Sequence, residues 1–209
     1  MKKIKYYDIK NILSTKAQYM ILLGQRANGK SYQAKLTALT EAYKNGKSFV
    51  YLRRWREDIK TKAVQAYFGD MPVSTITNGE YDHIKVWNGE IFFATFSDDG
   101  KEIKSDCIGR ACALNESERY KSWTFVDYRY ILFEEFITDK AYLAEEPRQL
   151  QQFISTVARN EYITVLMIGN TLSRVCPYFS EWCLEGVLNQ KQGTIEIYHY
   201  HIDNTLELA

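Results

Sequence analysis

The chain is poor in the residues that build metal and redox centres. It has three histidines in 209 residues, and no H-E-x-x-H pair to place two imidazoles on one helix face. Its four cysteines, Cys107, Cys112, Cys176 and Cys183, nowhere take the C-x-x-C spacing of a zinc site or dithiol motif. They read as reduced, buried thiols of a cytosolic protein. No apolar run approaches the ~18 residues that span a bilayer. The longest, around Tyr19-Met20-Ile21-Leu22-Leu23, suits a buried strand. Met1 to Asp8 lacks the apolar core of a signal peptide. There is no repeat, low-complexity tract or Pro-rich linker. Charge of one sign is also lacking: 27 Lys and Arg against 26 Asp and Glu leave +1. Contact with a polyanion must therefore come from a local basic patch.

What remains is globular composition, 45% hydrophobic and 25% charged, which excludes disorder, collagen and coiled coil. The length suits one α/β domain over residues 1–209, able to bury roughly 70% of its unfolded surface without a disulfide or metal staple. Strand-like runs at 19–23, 48–52, 110–114, 130–133, 162–168 and 194–200 alternate with helical patterns at 31–44, 56–67 and 147–158. Such alternation predicts a mostly parallel central sheet with helices on both faces. Two strand-like runs flank Asn88-Gly89, a dipeptide that accepts φ > 0 at both turn positions, so a β-hairpin insertion is expected at about 82–96. Residues 201–209 show no obvious terminal element.

Gly24-Gln25-Arg26-Ala27-Asn28-Gly29-Lys30-Ser31 fits G-x-x-x-x-G-K-[ST], with an apolar strand before it and an amphipathic helix after it. Glycines let the backbone curl its N–H groups inward, and the following helix turns its positive end to the same place. The pattern is that of a loop cradling the phosphates of ATP. Gly24 to Tyr32 would contact the nucleotide, Lys30 would reach its β and γ oxygens, and Ser31 would ligate Mg²⁺. Tyr6 and Tyr7 are aromatic candidates for stacking on the base.

A phosphate loop needs a carboxylate at the end of another parallel strand. Tyr130-Ile131-Leu132-Phe133 runs directly into Glu134-Glu135. Glu134 would face Mg²⁺ through water, and Glu135 would polarise the attacking water as a general base. This pairing suits a P-loop NTPase of the additional-strand catalytic-glutamate type. Asn170 ends the next strand, at the sheet edge where ligands bind, and is placed to sense the γ-phosphate or hold the water; a turn-forming Asn is the alternative. Phosphoryl transfer also calls for a further cation, often an arginine finger from a neighbouring subunit. Arg159 is the first candidate and Arg148 the second, although Arg159 serves equally well as a helix C-terminal cation. Arg53, Arg54, Arg56, Lys60 and Lys62 gather where the second strand ends. They are candidates to grip a DNA backbone, with Lys121 a weaker one and Lys101 and Lys104 weaker still.

Taken together, Gly24 to Tyr32, Phe49-Val50-Tyr51-Leu52-Arg53-Arg54, Phe133-Glu134-Glu135-Phe136, Thr156-Val157-Ala158-Arg159-Asn160 and Asn170 followed by Pro177-Tyr178-Phe179 resemble the DNA-packaging (encapsidation) ATPases of small, protein-primed, short-tailed phages. The resemblance runs from about residue 10 to 180. It implies a homomeric ring, of five subunits, that uses ATP to drive double-stranded DNA through a portal into an empty prohead in the host cytoplasm. It matches Arg159 to the trans-acting finger and Arg56 to a cation near DNA. Glu134 stands where that family carries Asp. The resemblance further implies a C-terminal nuclease-like domain that binds a structural RNA or the prohead, so this chain is expected to be the N-terminal ATPase domain. A P-loop kinase acting on a nucleotide or small molecule, and a non-hydrolysing nucleotide-dependent assembly switch, are the competing readings.

Overall fold

Largely apolar runs in four neighbouring parallel strands point to a sheet covered on both faces. The computed structural model describes residues 8–159, 161–170, 175–184, 186–200 and 206–208. The chain runs α1 (Lys10–Ser14), β1 (Tyr19–Gly24), α2 (Lys30–Asn45) and β2 (Ser48–Arg53), then a 3₁₀ turn (Arg56–Ile59), α3 (Thr61–Phe68) and α4 (Val73–Ile76). Strands β3 (His83–Trp87), β4 (Glu90–Phe96), β5 (Glu102–Lys104) and β6 (Gly109–Ala113) follow, with a 3₁₀ segment over Leu114–Ser122. The chain continues through β7 (Tyr128–Glu134), α5 (Glu146–Ala158), β8 (Thr164–Asn170), α6 (Pro177–Glu181), β9 (Tyr198–Tyr200) and β10 (Leu206–Leu208).

Among the described residues these strands make one sheet in the order β3-β4-β6-β2-β7-β8-β1-β10-β9, with β5 alongside β4. From β6 to β10 every pairing is parallel. Alternation along the strands divides the core. Met20, Leu22, Phe49, Tyr51, Leu132, Leu166 and Ile168 pack with Ala34, Ala38 and Leu39 of α2. Val50, Leu52, Ile131, Phe133, Val165 and Met167 pack with Leu150, Phe153, Ile154 and Val157 of α5. The 150, 153, 154, 157 spacing is one face of a helix, which explains why α5 lies flat on the sheet.

Several expectations are corrected. The helix expected over 56–67 breaks at Lys60, whose ψ of 141° is extended, leaving a 3₁₀ turn and the shorter α3. The strand expected at 194–200 is confined to Tyr198–Tyr200. Leu206–Leu208 is a strand after all, paired parallel to β1 and antiparallel to β9. The hairpin forms as expected, with Asn88 and Gly89 both at positive φ. Its second strand, β4, joins β6 antiparallel and lengthens the sheet. All four thiols are free, but only Cys112 and Cys176 are buried; Cys183 is exposed. No described helix is long and apolar enough to cross a membrane.

Gly169 is where close packing beneath the functional edge shows most clearly. A Cβ there would lie 2.7 Å from Phe136 Cε1 and 3.1 Å from Ile137 Cγ1, both on the buried chain that follows Glu135. Gly169→Ala should therefore destabilise by about 1–3 kcal/mol, the usual cost of overpacking. Urea unfolding with an unchanged midpoint would refute this.

Candidate functional site

In a parallel sheet the C-terminal strand ends share one edge, and ligands bind there. Gly24 at the end of β1 stands opposite Asn170 at the end of β8. Glu134, ending β7, is beside Ile168. Leu52 of β2 is beside Phe133, which brings Arg53 next to the acids. Register alone thus collects the loop, Asn170, both glutamates and Arg53 on one edge.

Between β1 and α2 the backbone must reverse tightly. Ala27 and Gly29 both take positive φ, 60° and 91°. Gly29 is the N-cap of α2 in the left-handed region, where any side chain would be strained. The turn points the first N–H groups and the positive end of a 16-residue helix at the loop. The Lys30 ammonium folds back into this loop. It donates to Gly24 O at 3.1 Å, Gln25 O at 2.8 Å, Asn28 Oδ1 at 3.0 Å and Asn170 Oδ1 at 3.4 Å. Burial lowers its pKa, against the raising effect of the Glu134 charge. A cavity of about 680 Å³ opens over the loop, lined by Arg26 to Gln33 together with Lys35, Asp70 and Asn170. Tyr32 stands partly exposed on its wall.

Glu134 is buried. Its Oε1 accepts a 2.5 Å hydrogen bond from the Tyr67 hydroxyl, and Ser31 is its second hydrogen-bonding partner. Burial raises its pKa; the bonds from Tyr67 and Ser31 and the charge of Arg53 pull the other way. Hydroxyl and carboxylate oxygens side by side are hard donors of the kind Mg²⁺ takes, with the remaining positions left to water and phosphate oxygens. Glu135 turns outward into a second cavity of about 310 Å³, lined also by Arg26, Arg53, Thr138 and Asn170. The two cavities share Arg26 and Asn170. Glu135 has φ of 56°, a strained value for a residue with a Cβ. Its carboxylate meets Arg53 Nη2 at 2.6 Å.

The basic cluster after β2 does not stay together. Arg53 turns to Glu135 and Asp58. Arg54 is buried against Glu146, which withdraws it from any phosphate backbone and corrects its place among the DNA candidates. Arg56, paired with Glu116, remains exposed together with Lys60 and Lys62. Lys121 is exposed and paired with Glu118. Arg159 caps the end of α5 with φ of 41° and donates to Trp123 O at 2.6 Å. That is the sheet edge opposite Lys30, as α5 ends where β8 begins. Arg148, exposed and paired with Glu145, is at the other end of α5. Tyr6, Tyr7 and Asn160 lie outside the described residues.

Sequence reasoning missed Tyr67, and it missed Lys35, whose ammonium binds Tyr67 O at 2.6 Å and pairs with Asp70. The short α3 swings Tyr67 back onto the loop helix, a tertiary event without a local signal.

Because burial raises the Glu134 pKa, the folded protein holds a proton there more tightly than the unfolded chain. Stability is lost as pH rises through the folded value and regained below the ordinary carboxylate range. Glu134→Gln should raise Tm at pH 7 and lose that advantage near pH 4, while weakening Mg²⁺-dependent nucleotide binding. Melting curves at both pH values check the first part and titration of a fluorescent ATP analogue the second.

The model of the family described as Podovirus DNA encapsidation protein (Gp16) matches residues 1–207. The DNA packaging proteins of Bacillus phages phi29 and PZA are each 28% identical over 213 aligned positions, covering all of this chain. The chain spans 59% of the length of these curated relatives. Among solved structures, the N-terminal domain of the DNA packaging ATPase from bacteriophage phi29 superposes with a TM-score of 0.73 at 27% identity, covering 91% of this chain and 92% of that one. The bacteriophage Phi-29 viral genome packaging motor assembly matches with a TM-score of 0.68 at 27% identity, over 86% of this chain and 51% of that one.

Proposed function

The chain belongs to the podovirus DNA encapsidation protein (Gp16) family, and from that premise we propose that it is the ATP-hydrolysing part of a motor that moves double-stranded viral DNA into a procapsid. The observation that carries this reading is the meeting of Lys30, Ser31, Asn170, Glu134 and Glu135 at one sheet edge. The position of β8 between β1 and β7 supports the additional-strand, catalytic-glutamate class, in which one strand separates the phosphate loop from the acids.

In this mechanism the Lys30 ammonium leaves the carbonyls of Gly24 and Gln25 and bonds the β and γ oxygens of ATP. The amides at the start of α2 hold the same phosphates. Ser31 and Glu134 would hold Mg²⁺, which would polarise the phosphoryl oxygens and offset their negative charge. Glu135 accepts a proton from the attacking water, for which its carboxylate must part from Arg53. Asn170, already touching Lys30, is placed beside the γ-phosphate. Arg159, on the opposite edge, serves a neighbouring subunit in a ring, and Arg56, Lys60 and Lys62 face the DNA. Portal, prohead and structural-RNA contacts, and work on a procapsid in the host cytoplasm, belong to the same proposal.

Glu135→Gln should keep ATP affinity and lose turnover by about 10²–10⁴-fold, the range for a general base. Phosphate release measured with and without long duplex DNA checks this and separates the competing readings. A kinase would ignore DNA and make a phosphorylated acceptor, and an assembly switch would not turn over. Inactive Lys30→Ala and Arg159→Ala subunits should partly restore each other's ATPase when mixed; no recovery in mixed assemblies would take Arg159 out of the neighbouring site.

A further inference from the structure

Arg54, which lines the second cavity beside Glu135, forms a buried, bidentate ion pair with Glu146. Arg54 Nε meets Glu146 Oε2 at 2.6 Å and Nη2 meets Oε1 at 2.8 Å. The two residues are 5% and 0% exposed. Glu146 accepts two further bonds, from Tyr178 Oη at 2.9 Å and Leu143 N at 2.9 Å, so its oxygens are well satisfied. The guanidinium, stacked 4.7 Å from the Tyr142 ring centre, has donors left over. Nη1 donates to Glu135 O at 3.1 Å and Nη2 to Phe136 O at 2.7 Å.

Those two carbonyls belong to the strained turn that aims Glu135. A left-handed glutamate is strained and persists only where its surroundings over-determine it. A buried ion pair is a poor route to stability, because desolvation cancels most of its attraction. Its use is geometric: one planar fork reads one carboxylate and two carbonyls at once, which an ammonium cannot do.

We infer that Arg54 and Glu146 are positioning residues for ATP hydrolysis, fixing the backbone at 135–136 so that the Glu135 carboxylate projects into the cavity beside Asn170. The assignment rests on the reading of Glu135 as the base. Arg54 acts through Glu135 and does not touch the reacting atoms.

The test compares the unaltered chain with Arg54→Lys, the paired change Arg54→Met with Glu146→Met, and Glu135→Gln. Apolar replacement of a buried pair is often well tolerated, so the paired change gives a second folded background. Expected for both Arg54 variants are affinity for a fluorescent ATP analogue within about twofold, unchanged KM, and kcat lowered about 10- to 100-fold, the effect of a misplaced catalytic group. Hydrogen exchange in the 133–138 peptide should quicken, with the Lys30 loop unaffected. Normal kcat with normal exchange in a folded variant overturns the assignment. So does a parallel fall in affinity and kcat, or unfolding of both variants, since either marks the pair as scaffold. If Glu135→Gln itself turns over normally, the role of Glu135 falls and the assignment with it. An inactive Glu135→Gln beside an unimpaired Arg54→Lys sinks the assignment alone.

Discussion

The parallel register of β1, β8 and β7 is the constraint on which the site depends. Gly24 faces Asn170 and Glu134 faces Ile168, so three strands from distant parts of the sequence end within reach of one another. A slip of one residue would turn each strand's side chains to the opposite face. Met20, Leu22 and Ile168 on one face and Val165, Met167 and Phe133 on the other prevent it, because both faces are packed. The core thereby holds the functional edge in alignment. Gly169, against Phe136 and Ile137, is the point where these two requirements share the same atoms.

The edge carries electrostatic costs that a purely structural sheet would avoid. Glu134 is buried with its pKa raised, and Lys30 is buried with its pKa lowered against the opposing effect of the Glu134 charge. Neither is neutralised by a direct ion pair among the described residues. Glu135 adds backbone strain. Perturbed titration, strain and a cavity coincide here, which is the physical signature of a working site.

The parts legible in the sequence were those whose chemistry is local. The loop glycines that let the backbone curl, Lys30 opening a helix, and Glu134-Glu135 following a buried strand each show in a window of a few residues. The hairpin at Asn88-Gly89 was legible for the same reason. What could not be read depends on which way a strand end faces. Arg53 and Arg54 are neighbours, but pleating sends one to Glu135 and the other into the core beneath it. Tyr67 reaches Glu134 only because the helix breaks at Lys60. The pairing of Leu206–Leu208 with β1 joins segments far apart in the sequence, and no short window records it.

Interposing β8 sets a spacing. Neighbouring strands stand ~4.8 Å apart, so the strand carrying the loop and the strand carrying the acids are separated by about 10 Å. Were they adjacent, that separation would be halved. With a strand's width between them, the two charges stay apart. The sheet acts as a spacer gauge, and Asn170, at the tip of the intervening strand, stands in the middle of the gap.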